Sequence, residues 1–390
     1  MKTIQRIIHI AGRECRILVT KNPIYFFCMV FLPIFVVVFF TSLMDDGQPV
    51  ELPIAVVDQD NTSTTRQLVR MLDAFETSKV VAHYPNVNEA REAIQKGEIY
   101  AFLLIPKGTT AGMMSSKQPK VSFYYNGVTM LAGSTTFKDL KTITALGSAG
   151  VGSKKLSAIG KTSREIKAFL QPITIDLHMI NNPWANYNVY LSSTMVPGLL
   201  MLFIFLITPY SIGNELKFGL AREWMYLAKN NPIVALLGKF IPQTMVHLTI
   251  FLSFEFYIYY VLGFPHPGGV LPIFLLGLLS VVSAQAFGIF VFGLMPSLRM
   301  SMSVCSLWAM LGFSLAGATF PVFAMDGAIQ ALSWMFPLRH YYMIYQINIF
   351  NGYPLAFAWP YWTTLLAFTI LPIFVVRNIK RAMLEYQYIP

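Results

Sequence analysis

The chain has 390 residues, of which 55% are hydrophobic and only 12% charged, against roughly 25% charged in a soluble domain, so it is not wetted on every side. Its formal net charge of +10 does not make a nucleic-acid partner. Thirteen Lys/Arg against four acidic residues (Glu14, Glu215, Glu223, Glu385) flank long apolar runs, whereas residues 45–186 are nearly balanced at fifteen Lys/Arg and thirteen Asp/Glu, the distribution of the positive-inside rule rather than of a basic binding face.

Residues 1–22 predict an amphipathic interfacial helix. Ile4, Ile7, Ile8, Ala11, Cys15 and Leu18 share one face, and Gln5, His9, Arg13, Arg16 and Thr20 the other, with the cations toward headgroups. Residues 23–44 follow without a charge, long enough to cross the roughly 30 Å hydrocarbon layer. The apolar stretch is too long for a signal-peptide core and no small-x-small cleavage site follows. It reads as an uncleaved first span with a cytoplasmic N-terminus.

Residues 45–186 change character. Strand patterns at 52–60, 79–84, 99–106, 120–125 and 173–180 alternate with helical spacing at 62–75, at 88–96 with Asn88 as cap and Gly97 as stop, and over most of 134–170. This predicts an inserted extracytoplasmic α/β domain. The cysteines are Cys15, Cys28 and Cys305, all outside it, so neither a disulfide framework nor a CxxC metal pair is expected. GSAGVGSKK at 147–155 has the glycine spacing of a phosphate loop. Ser153 stands where Lys is required and no strand leads into it, so a flexible glycine-rich break in a helix is expected instead.

Further spans are predicted at 189–212, 240–262, 270–295, 300–323 and 357–376, within a region 187–378, followed by a tail at 379–390. The fold class is thus an α-helical polytopic membrane protein with six transmembrane helices, both termini cytoplasmic, and an inserted α/β domain. Every basic connection falls on the side of the N-terminus, and the 263–269 connection has no Lys or Arg. Residues 324–356 are aromatic enough to be a re-entrant segment burying Ile329, Leu332, Trp334, Phe336, Tyr341 and Tyr342. Glu255 is the one acidic residue inside a span; a carboxylate at mid-bilayer costs about 2.5–3.5 kcal/mol, so it should face protein, a wet cavity or a cation such as Arg339. Gly312 with Ala316, and Ala284 with Gly288, have small-xxx-small spacing for close helix approach.

No HExxH, GxSxG or clustered His/Asp/Glu set is present, so no catalytic residue and no metal site is expected. In the segment 213–242, Glu215, Lys217, Arg222, Glu223 and Lys229 form a charged face, with Phe218, Trp224, Met225 and Leu227 as apolar anchors for a partner's groove. At this point the chain resembles the permeases of type-2 ABC exporters. The matching positions are Glu215, Gly219, Glu223, Leu227, Pro232, the run Leu237-Gly238-Lys239 and Pro242, and residues 321–342 are similar to the family's stretch before span six. Gly219-Leu220 departs from the family's usual Gly-Thr. The insert after span one points to the subgroup with a large outer domain.

The resemblance implies an export subunit of the bacterial inner membrane, not an enzyme, with a coupling segment at 213–239 in which Glu215, Lys217, Phe218, Gly219, Arg222, Glu223, Leu227 and Pro232 meet a separate cytoplasmic ABC ATPase. It implies two ATPase copies holding ATP and Mg, no cofactor in this chain, and a second permease, identical or paralogous. It leaves room for a periplasmic adaptor. The route or gate is expected at Glu255, Gln285, Phe336, Arg339, His340 and Tyr341, and a dimer contact at Gly312 and Ala316. The cargo would be amphipathic: drug, lipid, glycan or peptide. A receptor or scaffold whose outer domain binds a ligand or envelope protein without transport is the alternative from another class. An ion-driven carrier is disfavoured, since the spans carry no inverted-repeat signal.

Overall fold

The structure is a computed structural model describing residues 3–20, 23–115, 117–173, 178, 181–183 and 185–388. The chain divides into two compact units, Met1–Asp45 with Met179–Pro390, and Asp46–His178.

Among the described residues of the first unit, six helices are long and apolar enough to cross a membrane: Pro23–Leu43, Tyr187–Lys217, Pro232–Val261, Val270–Leu294, Leu298–Leu315 and Leu355–Glu385, called spans 1 to 6 below. The unit is a polytopic helical bundle. Span 2 packs against spans 1, 4 and 5, and span 4 against spans 3 and 6. The Asn186 side chain accepts from the amides of Asn188 and Val189 to start span 2. Asn231 does the same for span 3, whose first residue is Pro232, a helix position that needs no N–H. The N-terminal helix Thr3–Thr20 lies along span 3.

Several boundaries differ from the sequence expectation. Span 2 runs on to Lys217 and span 3 begins at Pro232, so only 218–231 separate them, with a helix at Ala221–Leu227. Span 5 stops at Leu315 rather than 323, because Gly317 takes φ +100°. The last helix continues past 378 to Glu385, since Val375, Ile379, Ala382 and Met383 bury one stripe of it. Residues 324–356 hold two short helices, Gly327–Ser333 and Pro337–Ile344, then a π-helical turn at Tyr345–Phe350. Phe336 and Tyr341 are buried in the protein, Tyr342 is half-buried, and Ile329, Leu332 and Trp334 are exposed on its surface.

The second unit is a four-stranded sheet in the order β2-β1-β3-β4, with β1 Leu52–Asp58, β2 Ser78–His83, β3 Ala101–Ile105 and β4 Ser122–Tyr125. β1 pairs in parallel with β2 and β3, and β4 runs antiparallel to β3. The continuous apolar run LPIAVVD of β1 fits a strand covered on both faces. Ile54 and Val56 face Leu72, Leu140 and Ile143 on one side, and Ala55 and Val57 face Ala90 and Ala93 on the other.

The helix Val87–Lys96 is capped by Asn86 and not Asn88, with Gly97 left-handed at its end. The helix Met130–Ala158 runs unbroken through Gly147, Gly150 and Gly152, so the expected glycine-rich break does not occur. The Cβ position of Gly147 lies 2.5 Å from a Leu68 methyl, and packing holds the glycines inside the helix. Of the expected strand 173–180, residues 174–177, 179 and 180 lie outside the described residues.

Helix Thr109–Met114, which periodicity did not reveal, is held by Asp60. Its Oδ1 accepts from Gly108 N at 2.6 Å and its Oδ2 from Thr110 N at 2.9 Å. The Thr110 hydroxyl and these amides hold the Asp60 carboxyl below the usual carboxylate range. Its stabilising contribution is therefore complete above the unfolded value near ~3.9 and disappears as pH falls through the lower folded value. Asp60→Ala is expected to speed amide exchange across 108–112 at neutral pH, and the difference from the parent protein should begin to shrink only below roughly pH 4 and close as the folded carboxyl protonates. Equal exchange at neutral pH would count against this capping role.

Candidate functional site

Six segments converge at one end of the helical unit: the N-terminal helix, the end of span 2, helix Ala221–Leu227, the start of span 3, the end of span 4 and the end of span 6. Their shared core holds Ile10, Trp224, Met225, Phe240, Phe292 and Ile379, all buried. The N-terminal helix reaches span 3 closely at Gly238, where a Cβ would stand 2.7 Å from Ile10 Cβ and 3.1 Å from the Ile7 carbonyl oxygen. Both neighbours belong to or sit next to helix backbone, so any larger residue there forces the two helices apart.

This close approach buries a charge cluster. Arg13 grips Glu215 with two bonds, Nη1 to Oε1 at 2.8 Å and Nη2 to Oε2 at 2.9 Å. Lys239 Nζ donates to Glu215 Oε1 at 2.7 Å and to Glu14 Oε2 at 2.9 Å. Gln243 Nε2 donates to Glu14 Oε1 and to Ser211 Oγ, both at 2.7 Å. Glu14, Lys239 and Gln243 are at most 1% exposed and Glu215 is 3% exposed. Two cations meet two anions, and the Lys239 ammonium lies 5.4 Å from the centre of the Trp224 ring, which adds cation–π attraction. Burial pulls the Arg13 guanidinium down, but Glu215 outweighs it and holds Arg13 above its ordinary value.

Three expectations are corrected here. Glu215 is not part of an exposed charged face; it is the centre of the buried cluster. Trp224 and Met225 do not await a partner's groove, because their own chain already covers them completely. Arg13 likewise turns into the protein, its side chain 15% exposed, rather than toward headgroups. Sequence reasoning missed Glu14 and Ser211, although an acidic residue in an otherwise basic helix was an available signal; Gln243, a glutamine inside an apolar span, reads from sequence as an interhelical hydrogen-bonder, and it bonds Glu14 and Ser211.

What remains outside is a compact rim. Lys217, Phe218, Gly219, Arg222, Glu223, Tyr226 and Lys229 are exposed, while Leu227 and Pro232 are half-buried. Gly219 sits at φ +70°, which turns the chain from span 2 into the short helix. Arg222 Nε is tied to the Leu384 carbonyl at 3.3 Å. A groove of about 970 Å³ runs between the N-terminal helix and this rim, with Gly12, Arg13, Glu215, Phe218 and Glu223 among its lining.

The remaining candidates are not part of this cluster, and Phe336, Arg339, His340 and Tyr341 share one segment. Gln285 on span 4 accepts from the Thr244 hydroxyl of span 3. Glu255, 1% exposed, packs its carboxyl against span 4 at Gly277, with no hydrogen-bond partner among the described residues. At a rise of about 1.5 Å per residue, these two contacts are more than ~10 Å apart along the spans. Arg339 does not pair with Glu255. Its Nη1 donates to the Gln330 carbonyl at 3.1 Å, and its guanidinium lies 5.1 Å from the Trp334 ring centre, because the two short helices fold back on each other. His340 Nε2 lies 2.8 Å from the Trp334 carbonyl oxygen, Phe336 stacks on Trp308 at 4.6 Å, and Tyr341 meets Phe251 edge-on. Gly312 and Ala316 are buried by their own chain, Gly312 beneath Phe336 and Leu338, so they are not free for a dimer contact. Gly288 similarly fits against Thr208 of span 2. Among the described residues no group of three His, Cys, Asp or Glu side chains could hold a metal ion.

A polytopic helical bundle whose spans 2 and 3 are joined by a short, rigidly seated charged connection has the form of a membrane transport component. Comparison with protein families bears this out: residues 23–376 match the ABC-2 family transporter protein, and the chain belongs to that family. Among curated proteins no significant match was found. The chain is accordingly a multi-pass permease of the ABC transporter type, a family that works with an ABC ATPase.

Removing one partner of a buried ion pair costs about 3–5 kcal/mol, because the other charge is stranded. Lys239→Met is therefore expected to destabilise the helical unit by about 3 kcal/mol in a denaturant or thermal titration of the purified chain. Adding Glu14→Gln should restore part of the loss, since it removes one of the stranded carboxylates. Additive losses in the double variant would argue that Lys239 and Glu14 do not act together.

Proposed function

We propose that this chain is the membrane-spanning subunit of an ATP-driven exporter of the bacterial inner membrane, with both termini and residues 218–231 in the cytoplasm and residues 45–186 outside. The convergence of the N-terminal helix, the 221–227 helix and the end of span 6 in one core supports a common side for both termini. The excess of Lys/Arg over acidic residues in these segments supports the cytoplasmic side.

The observation that carries the reading is an exposed rim of Phe218, Arg222, Glu223, Tyr226 and Lys229 mounted on a fully packed base. An aromatic anchor with charges of both signs around it is the composition of an interface hot spot and its rim. The partner is a separate ABC ATPase, in two copies, binding ATP and Mg. Its closure would push on the rim. The buried cluster ties the rim to spans 2 and 3 and to the N-terminal helix, so these elements would move together. A second permease, identical or paralogous, completes the route. The Glu255 and Gln285 levels and the 327–344 helix pair with Phe336, Arg339, His340 and Tyr341 form the gate region, and the cargo is amphipathic.

Glu223 and Phe218 are cleaner probes than Glu215, whose reversal would break the packed base. Phe218→Ala is expected to weaken ATPase binding by roughly 25-fold, the equivalent of losing a hot spot of about 2 kcal/mol. Glu223→Lys should lower permease-dependent ATPase activity of the reconstituted complex while membrane insertion is retained. Unchanged ATPase binding and activity in both variants would contradict the assignment and favour a receptor that does not transport.

A further inference from the structure

Within the α/β unit, a groove of about 740 Å³ lies between helices Ser63–Asp73, Thr109–Met114 and Met130–Ala158, bordered by residues 117–122 leading into β4. That volume falls in the range of about 300–1,000 Å³ usual for small-molecule sites. Its wall is apolar where Leu68, Ile105, Met113, Val121 and Val151 contribute. Its charged lining residues are Lys117, Lys120 and Lys155, with no Asp or Glu among them. This is a local departure, because residues 45–186 as a whole carry nearly equal numbers of cations and anions. Lys155 Nζ donates to the Met113 carbonyl and so fixes the groove's width. Lys117 and Lys120 are exposed and form no ion pair among the described residues. The glycine-rich run at 147–155 now has a place. It is not a phosphate loop but the face of a helix where Gly147, Ser148, Val151 and Gly152 line the groove, Leu68 and Leu170 packing against the two glycines.

We propose that this groove binds an amphipathic anion, a carboxylate or phosphate head on an apolar chain, with the chain along Leu68, Met113 and Val151 and the head between Lys117 and Lys120. Apolar walls recognise the chain by burial from water. The lysines attract and orient the head, and they reject a cationic amphiphile by like-charge repulsion. The inference concerns the α/β unit alone and does not depend on ATPase coupling, so either reading can fail without the other.

The test uses the full-length chain in nanodiscs of zwitterionic lipid and a diazirine derivative of palmitic acid, with photo-adducts mapped by peptide mass spectrometry. Adducts in 109–122 and 144–155 are expected. Unlabelled palmitate or lysophosphatidic acid should displace them, and whichever competes better identifies the preferred head, while hexadecylamine should not compete. Val151→Trp should abolish these adducts by filling the groove. Lys117→Glu with Lys120→Glu, which alters only exposed side chains, should weaken them roughly tenfold. Adducts confined to the spans, adducts undiminished in both variants, or equal displacement by hexadecylamine would overturn the proposal.

Discussion

Glu14 and Arg13 of the N-terminal helix meet Glu215 and Lys239, more than two hundred residues further along the chain at the ends of spans 2 and 3, in the protein interior. Taking such charges out of water costs several kcal/mol each, and their mutual attraction offsets this only when the geometry is good and the remaining hydrogen bonds are made. Here it is good: a bidentate Arg–carboxylate contact, a lysine shared by two carboxylates, and a glutamine that occupies the last carboxylate oxygen. A cluster of this kind adds little stability over an apolar core of the same shape. It does forbid alternative registers, because sliding the N-terminal helix by one turn along span 3 would strand Arg13 and Glu14 and leave only the Lys239–Glu215 pair intact. The end of the bundle is consequently fixed as one body, and the position of the exposed rim follows from it.

The remaining contacts at this end agree with that constraint. Gly238 permits the close helix approach on which the ion pairs depend, and Trp224 closes over Lys239 from the side of the short helix. Span 6 adds Ile379 and Met383 beneath that helix. Further along spans 3 and 4, two polar side chains stand outside any such cluster. Gln285 serves a single hydroxyl, and Glu255 is lodged against Gly277 without a cation. The helical unit thus combines one end that is electrostatically locked with a middle held by side-chain packing.

Much of the architecture was readable from residue order, because apolar runs of span length and the buried β1 pattern depend only on local composition. The cluster was not. Periodicity placed Arg13 on the solvent face of an amphipathic helix and Glu215 on a charged rim, and both assignments are reasonable for isolated helices. What decides them is a pairing between positions 13 and 215, which no local pattern encodes. The same limit explains the helix cap, where Asn86 and Asn88 stand two residues apart and only backbone geometry selects Asn86. It also explains the small-residue pairs. Gly312 packs against the chain's own Phe336 and Leu338, and Ala316 is likewise buried within its own chain. Helices outrun the apolar runs where an amphipathic stretch continues, as at 376–385.

The account rests on the N-terminal helix and the 218–231 rim behaving as a single body during transport. Pulsed electron spin resonance would test this directly, with labels at His9→Cys and Lys229→Cys, the native cysteines replaced, and the chain reconstituted with its ATPase. One narrow distance distribution, the same with and without trapped nucleotide, is the predicted result. A second population, or a shift of about one helical turn, roughly 5 Å, between nucleotide states, would contradict it.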